Sequence, residues 1–145
     1  MTERNSAAFL DTNILVYAFE KVASPKKAVA DALLARLMEQ GRLRLSTQVL
    51  QELFVRLTHV VRRTCSPEEA LEHLEALTAW PVFVVDYPAI RQACLLARDA
   101  SLSFWDALIV VAATRCGASQ LYTEDLNHGQ EILGVEVINP FLGAS

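Results

Sequence analysis

The sequence predicts an α/β fold in which a mostly parallel sheet lies between two layers of helices. Three observations predict it. Short apolar segments alternate with longer helix-like segments along the whole chain, the pattern of repeated βα units. The strand candidates are predominantly apolar, as strands covered on both faces are. Gly41, Pro81, Gly117 and Pro140 fall between the candidate elements rather than inside them. A chain of 145 residues suits one domain, 1–145, with a sizeable core.

The elements follow in order. Residues 7–10 read as the first strand, which delivers Asp11 to its C-terminal tip before a second apolar stretch, Ile14 to Phe19. Residues 24–39 read as a helix, with Ser24 as cap and Pro25 at its first position, and Gly41 ends it. Leu43 to Ser46 is a short strand, and Thr47 opens a helix expected to reach about Arg63. Ser66-Pro67-Glu68-Glu69 supplies a cap, a first-turn proline and a capping-box glutamate, so a helix should run to about Thr78. Val82 to Val85 is β-branched and strand-like, and Pro88 to Ala100 is helical. Ser103 caps a very apolar helix reaching Cys116, Gly117 stops it, Ser119 to Tyr122 is a strand, and Val135 to Ile138 is the last strand. In such sheets ligands collect at the carboxyl ends of strands near a change in strand order. Asp11 and Asp125 both follow candidate strands at that end.

Bulk composition narrows the class. Apolar residues make up 52 % and charged residues 21 %, as in folded globular proteins. The longest apolar runs, such as Ala107 to Ala113, fall far short of the roughly 20 residues needed to cross a bilayer. Residues 1–5 carry two charges and are followed by no apolar run of signal-peptide character, so the expected location is cytoplasmic. Cys65, Cys94 and Cys116 have no paired spacing and read as free thiols; a zinc site is not expected. The net charge of −4 conceals an asymmetry: residues 1–63 hold ten Lys/Arg against six Asp/Glu, the remainder three against eleven.

Four acids stand in settings that suggest chemistry: Asp11, Glu52, Asp106 and Asp125. Each also has a plainer reading. Asp11 suits an N-cap, although Thr12 or Asn13 would serve as well. Glu52 falls opposite the apolar seam of Val49, Leu53, Leu57 and Val60, where Arg56 at i+4 would give a surface ion pair. Asp106 sits three residues after Ser103, as in a capping box, yet it leads an apolar helix and has Trp105 beside it to wall a cleft. Asp125 suits a turn capped by Thr123, with Glu124 as its rival for a ligand. Asn13 and Thr123 are placed to orient carboxylates or a bound water. Gathering several carboxylates is strongly unfavourable without a cation, and oxygen-only donors suit Mg2+ or Mn2+. Such an ion at such a site points to phosphodiester hydrolysis. The geometric expectation is that Asp11, Asp106 and Asp125 converge to within about 4–6 Å, with Glu52 at the rim.

Arg56, Arg62 and Arg63, with Lys26 and Lys27, are candidates for phosphate contact, or else a solvated charged face. His59 and His73 read as solvated side chains; His128 is close enough to Asp125 in sequence for a role with substrate. No glycine-rich phosphate loop is present.

Four segments together carry a family resemblance covering nearly the whole chain: Phe9 to Tyr17 around Asp11, Ser46 to Leu53 around Glu52, Trp105 to Ile109 around Asp106, and Leu121 to Leu126 around Asp125. The sequence resembles PIN-domain ribonucleases of the VapC toxin type. That resemblance implies a PIN-like three-layer α/β/α fold with strand order 3-2-1-4-5. It implies Mg2+ or Mn2+ held chiefly by Asp11, Asp106 and Asp125, with Glu52 reaching the ion through water. It also implies endoribonuclease activity leaving a 3′-hydroxyl and a 5′-phosphate, a homodimer, and silencing by a cognate antitoxin within a toxin–antitoxin hetero-oligomer. Two other readings stand beside it. A phosphatase using Asp11 as nucleophile would want a second acid two residues on, where Asn13 stands. A non-catalytic RNA- or protein-binding module would hold no metal.

Overall fold

A computed structural model of the chain describes residues 6–144; the reading of residues 1–5 as lacking signal-peptide character lies outside them. In chain order the elements are β1 (Ala7–Leu10), α1 (Thr12–Phe19), α2 (Pro25–Glu39), β2 (Leu43–Ser46), α3 (Thr47–Leu57), α4 (Pro67–Leu77), β3 (Val82–Phe83), α5 (Tyr87–Ala100), α6 (Phe104–Arg115), β4 (Ala118–Tyr122), β5 (Glu131–Ile132) and β6 (Val135–Ile138). The strands form one sheet of order β3-β2-β1-β4-β6-β5, flanked by helices as a three-layer α/β/α sandwich. All neighbours pair in parallel except β5 and β6. Counting only the five strands read from the sequence, this is the expected order 3-2-1-4-5.

The additional strand, β5, is two residues long, too short to show alternation. It is joined to β6 through Leu133 and Gly134, both at positive φ (50° and 80°), the backbone of a tight two-residue hairpin turn.

The core explains the placement of the functional end. Phe9, Leu10, Leu43, Leu45, Leu121 and Val137 are fully buried sheet residues. Residues 107–113 of α6 are all buried, so that helix is held rigidly and the position of its first turn is fixed by packing. β1 sits at the centre, with β2 on one side and β4 on the other. The chain reverses direction of growth across it, and a crevice opens at the carboxyl ends of β1 and β4. The register pairs Leu10 with Tyr122, so the next residues on the two strands, Asp11 and Thr123, come side by side.

Two expected elements differ. The helix expected to reach Arg63 stops at Leu57. Thr58 donates its hydroxyl to the Phe54 carbonyl (2.7 Å), and the Thr64 and Cys65 amides both close onto the Leu57 carbonyl (2.9 and 3.0 Å). Such side-chain bonds compete with helix continuation, and Val60 and Val61 find no apolar surface to cover, being 94 % and 82 % exposed. His59, Arg62 and Arg63 therefore lie on a loop, not on the helical face of Glu52. The third strand ends at Phe83 because the Val85 amide donates to the Thr47 hydroxyl (3.1 Å) instead of continuing the ladder.

Candidate active site

Asp11 forms the floor of the crevice. It is only 5 % exposed. One carboxylate oxygen accepts from the Thr12 amide (2.7 Å) as α1 begins, and the other accepts from the Thr123 hydroxyl (2.8 Å). Asp11 is thus an N-cap, as the plainer reading held, but its second oxygen is turned to β4 and the cleft. Thr123 is itself completely buried and also accepts from the Asp125 amide (3.1 Å), which locks the start of the loop that carries Asp125.

The other acids reach the same cleft from three further elements. Glu52, on α3, is half-buried and accepts from the Thr12 hydroxyl (2.9 Å). It makes no ion pair with Arg56, so the expected surface pair is absent. Asp106, in the first turn of α6, is half-buried, and its amide is capped by the Ser103 hydroxyl (3.1 Å). Asp125 follows β4 and accepts from the Asn13 side-chain amide (3.0 Å). Of the four acids Asp125 is the exposed one, while Glu52 and Asp106 are both half-buried. The four acids line one cleft of about 490 Å3, together with Thr12, Asn13, Gln48, Arg56, Trp105 and Ile109.

Its electrostatics are those of a site short of positive charge. The Asp11 carboxyl is pushed up from 3.8 to about 7. Burial is the main cause; the bonds from Thr123 and Thr12 resist it, and the charges of Asp125 and Glu52 add to it. The Asp125 carboxyl is also raised, first by its partial burial against the cleft and then by the charge of Asp106. Asn13 and Arg56 pull it back. The acids therefore sense one another, yet they do not gather tightly. Among the described residues no three Asp, Glu, His or Cys side chains are grouped so as to hold a metal ion. Asp11, Glu52 and Asp125 each accept instead from neutral donors, as expected where repulsion is unrelieved.

The cleft is lined by oxygen donors without a lysine or histidine among them. Two further amide oxygens, Asn13 Oδ1 and Gln48 Oε1, are shielded from solvent and accept no hydrogen bond. This set fits a hard divalent cation that keeps part of its hydration shell, rather than a soft metal.

The remaining candidates separate. Arg56 reaches the cleft and also an adjoining groove lined by Lys21, Val22, His59, Arg62 and Arg63. Lys26 and Lys27 are committed elsewhere: Lys26 pairs with Glu124 (2.9 Å), and Lys27 pairs with Asp31 (3.2 Å) and donates to the Ala18 carbonyl (2.7 Å). Glu124 also accepts from the Tyr17 hydroxyl (2.9 Å), so it is held off the cleft and does not rival Asp125. His128 accepts from the Asn139 amide (3.0 Å), tying a loop to the end of β6, and does not line the cleft. His73 is not simply solvated: it stacks on Phe19 with centroids 4.2 Å apart. The three cysteines are free, Cys65 buried and Cys94 exposed.

Sequence reasoning missed Gln48 and Thr12. Gln48 lies one helical turn before Glu52 on the same face of α3, a spacing that would have nominated it once Glu52 was singled out. Thr12 had been considered only as a possible cap.

Thr123→Val tests how far the floor depends on its neutral donors. Removing the hydroxyl leaves a buried carboxylate with one partner fewer, so the Asp11 carboxyl should titrate above about 7. Divalent-cation affinity should fall roughly tenfold. NMR titration of the Asp11 carboxyl carbon together with metal-binding calorimetry checks both; an unchanged titration would show that Thr123 does not hold Asp11.

A mixed α/β sandwich with an acid-lined cleft at the carboxyl end of its central strands defines the class to which this chain belongs. The sequence profile of the PIN domain matches residues 8–130, and the chain belongs to the PIN-domain family. It resembles VapC-type toxins in structure. A toxin–antitoxin complex from Klebsiella pneumoniae superposes with a TM-score of 0.68 at 19 % identity, covering 92 % of this chain and 98 % of that one. VapC20 of Mycobacterium tuberculosis, described as a sarcin-ricin loop cleaving toxin, gives 0.64 at 21 % identity over 82 % and 90 %. FitAcB of Neisseria gonorrhoeae gives 0.67 at 18 % identity over 92 % and 98 %. At these identities the likeness is one of fold. No curated protein matches the chain significantly. Among the described residues no helix is long and apolar enough to cross a membrane.

Proposed function

We propose that this protein is a Mg2+- or Mn2+-dependent endoribonuclease acting as the toxin of a toxin–antitoxin pair. One observation carries the reading: four carboxylates from four separate elements line a single cleft, and the deepest, Asp11, has its carboxyl pushed up to about 7, chiefly by burial and further by the charges of Asp125 and Glu52. A cleft lined by four carboxylates would repel an RNA backbone unless a cation were bound there, which disfavours a metal-free binding module.

In this reading Asp11, Asp106 and Asp125 would hold the ion, with Glu52 lining the same cleft beside them. When bound, the ion supplies Lewis acidity toward a phosphoryl oxygen and lowers the pKa of water. The chain's own residues do the rest. Thr123 and the Thr12 amide keep Asp11 oriented and favour its ionised form. Asn13 orients Asp125, and Thr12 orients Glu52. Arg56, Arg62 and Arg63 flank the cleft along the adjoining groove, where they meet backbone phosphates of a strand leading into the acids. The relatives seen as toxin–antitoxin complexes support a cognate antitoxin as partner. A homodimer and a cytoplasmic location belong to the same proposal.

The test is direct. Purified protein freed of antitoxin should cleave RNA in Mg2+ or Mn2+, leaving 5′-phosphate ends, and should stop in EDTA. Asp106→Asn should lower the rate by at least about 100-fold. Cleavage that persists in EDTA, or that survives in a folded Asp106→Asn protein, overturns the reading.

A further inference from the structure

Gln48 is 4 % exposed and lines the acid cleft on α3, one turn before Glu52. Its side-chain amide donates to the Trp105 carbonyl (3.2 Å), at the start of α6 and next to Asp106. This contact fixes the orientation of the amide, because a carbonyl can only accept; exchanging N and O would set two acceptors against each other. Gln48 Oε1 is therefore the free end, closed off from bulk solvent and accepting nothing. Asn13 is built the same way. Its Nδ2 is spent on Asp125 (3.0 Å), and its Oδ1 is likewise shielded and unpartnered.

Two unpartnered amide acceptors beside four carboxylates are a costly arrangement. A shielded acceptor without a donor is unfavourable, and further acceptors in an acidic cleft attract no anion and no neutral acceptor. The ligand that suits them carries positive charge and presents hydrogen-bond donors only. A hydrated divalent cation is such a ligand, since every water in its shell points its protons outward, and Mg2+ gives up those waters reluctantly.

We propose that Gln48 is a positioning residue of the cation site, with its Oε1, alongside Asn13 Oδ1, accepting hydrogen bonds from the hydration shell of the bound ion while its Nε2 braces the α6 turn that carries Asp106. The inference rests on the metal-dependent reading above. It goes beyond that reading in assigning Gln48 and in stating that the ion is recognised partly through its shell. Such recognition accounts for the spread of the acids along the cleft walls: water-mediated contact requires no tight cluster of carboxylates.

The test uses two probes, Mg2+ and cobalt(III) hexaammine, titrated calorimetrically into the full chain. The cobalt complex carries a shell of N–H donors that it does not exchange, so it reports recognition of the shell alone. Wild type should bind both. Gln48→Leu should weaken each by roughly tenfold, the scale of an outer-shell partner. Gln48→Glu keeps an acceptor but loses the donor to Trp105, and should bind both at least as tightly as wild type. A residue that only braced α6 would lose affinity in both variants, and that outcome overturns the proposal. So does a Gln48→Leu protein that binds both probes like wild type. Thermal melts establish that the variants are folded; should Gln48→Leu not fold, Gln48→Met, of similar length and without a strong acceptor, takes its place with the same expected tenfold loss. Wild type that binds neither probe overturns the metal-dependent reading itself, whereas normal wild-type binding with an unaffected Gln48→Leu overturns only the role given to Gln48.

Discussion

Asp11→Asn should abolish RNA cleavage, by at least about 1000-fold, while making the metal-free protein more stable. On the proposed function, the loss of activity follows from the removal of the deepest carboxylate charge in the cleft. The gain in stability follows from the price of burying that charge. The Asp11 carboxyl stands at about 7 in the folded chain against 3.8 as a free side chain. Holding it ionised in the fold at pH 8 therefore costs on the order of 4 kcal/mol. Asparagine keeps the oxygen that caps α1, and the Thr123 hydroxyl is able to turn and accept from the new amide. The variant should thus melt several degrees higher than wild type at pH 8 in EDTA, with no detectable cleavage in Mn2+. Chemical denaturation and a fluorescent RNA substrate measure the two effects on one sample. A folded Asp11→Asn protein with wild-type cleavage would contradict the assignment, and one markedly less stable at pH 8 would contradict the electrostatic account of its burial.

Wild-type stability should depend on pH and metal in a linked way. Because the folded pKa of Asp11 lies above its unfolded value, its contribution is fully present below pH 3.8 and is lost as pH rises through about 7. Between those limits the folded state binds the proton that the unfolded state has released, so stability falls with rising pH. Asp125, also raised, acts in the same direction. The metal-free protein should accordingly lose a few kcal/mol of stability between pH 5 and pH 8 relative to Asp11→Asn, which lacks the Asp11 titration. Saturating Mg2+ should cancel most of that loss, since the ion binds the ionised form and releases its proton. Denaturation series at the two pH values, with EDTA or with Mg2+, supply the comparison. Parallel curves for wild type and variant across pH would show that Asp11 titrates normally.

The parts of this molecule that were legible in the sequence are those governed by local rules. Ser24-Pro25 and Ser66-Pro67 start helices because a capping hydroxyl and a first-turn proline act within one turn. The order of the five strands read from the sequence followed from the family resemblance and matches the sheet. What was not legible depended on tertiary competition. Nothing in the sequence from Thr47 to Arg63 says that Val60 and Val61 will find no apolar partner, or that Thr58 will spend its hydroxyl on the Phe54 carbonyl. The β5 hairpin is too short for periodicity to register.

The cleft divides in the same way. The four acids could be nominated from sequence, but their depths could not. Burial of Asp11 and exposure of Asp125 arise from β1 lying at the centre of the sheet and from a loop that leaves β4 toward solvent. The diversion of Glu124 to Lys26 and Tyr17, residues about 100 positions away, is likewise a product of the fold. The spacing from Glu52 was enough to put Gln48 on the same face of α3, but its contact with the Trp105 carbonyl is a product of the fold.

The central claim is that carboxylates from four elements share one divalent cation. Titration of the antitoxin-free protein with Mn2+, followed by the electron paramagnetic resonance signal of the free ion, measures that sharing most directly. The account predicts saturable uptake that Mg2+ displaces, that weakens as pH falls below about 7 while Asp11 takes up its proton, and that disappears in an Asp11→Asn, Asp125→Asn double variant. Mn2+ that stays free up to millimolar concentration in the presence of a folded, RNA-cleaving wild-type protein would contradict it.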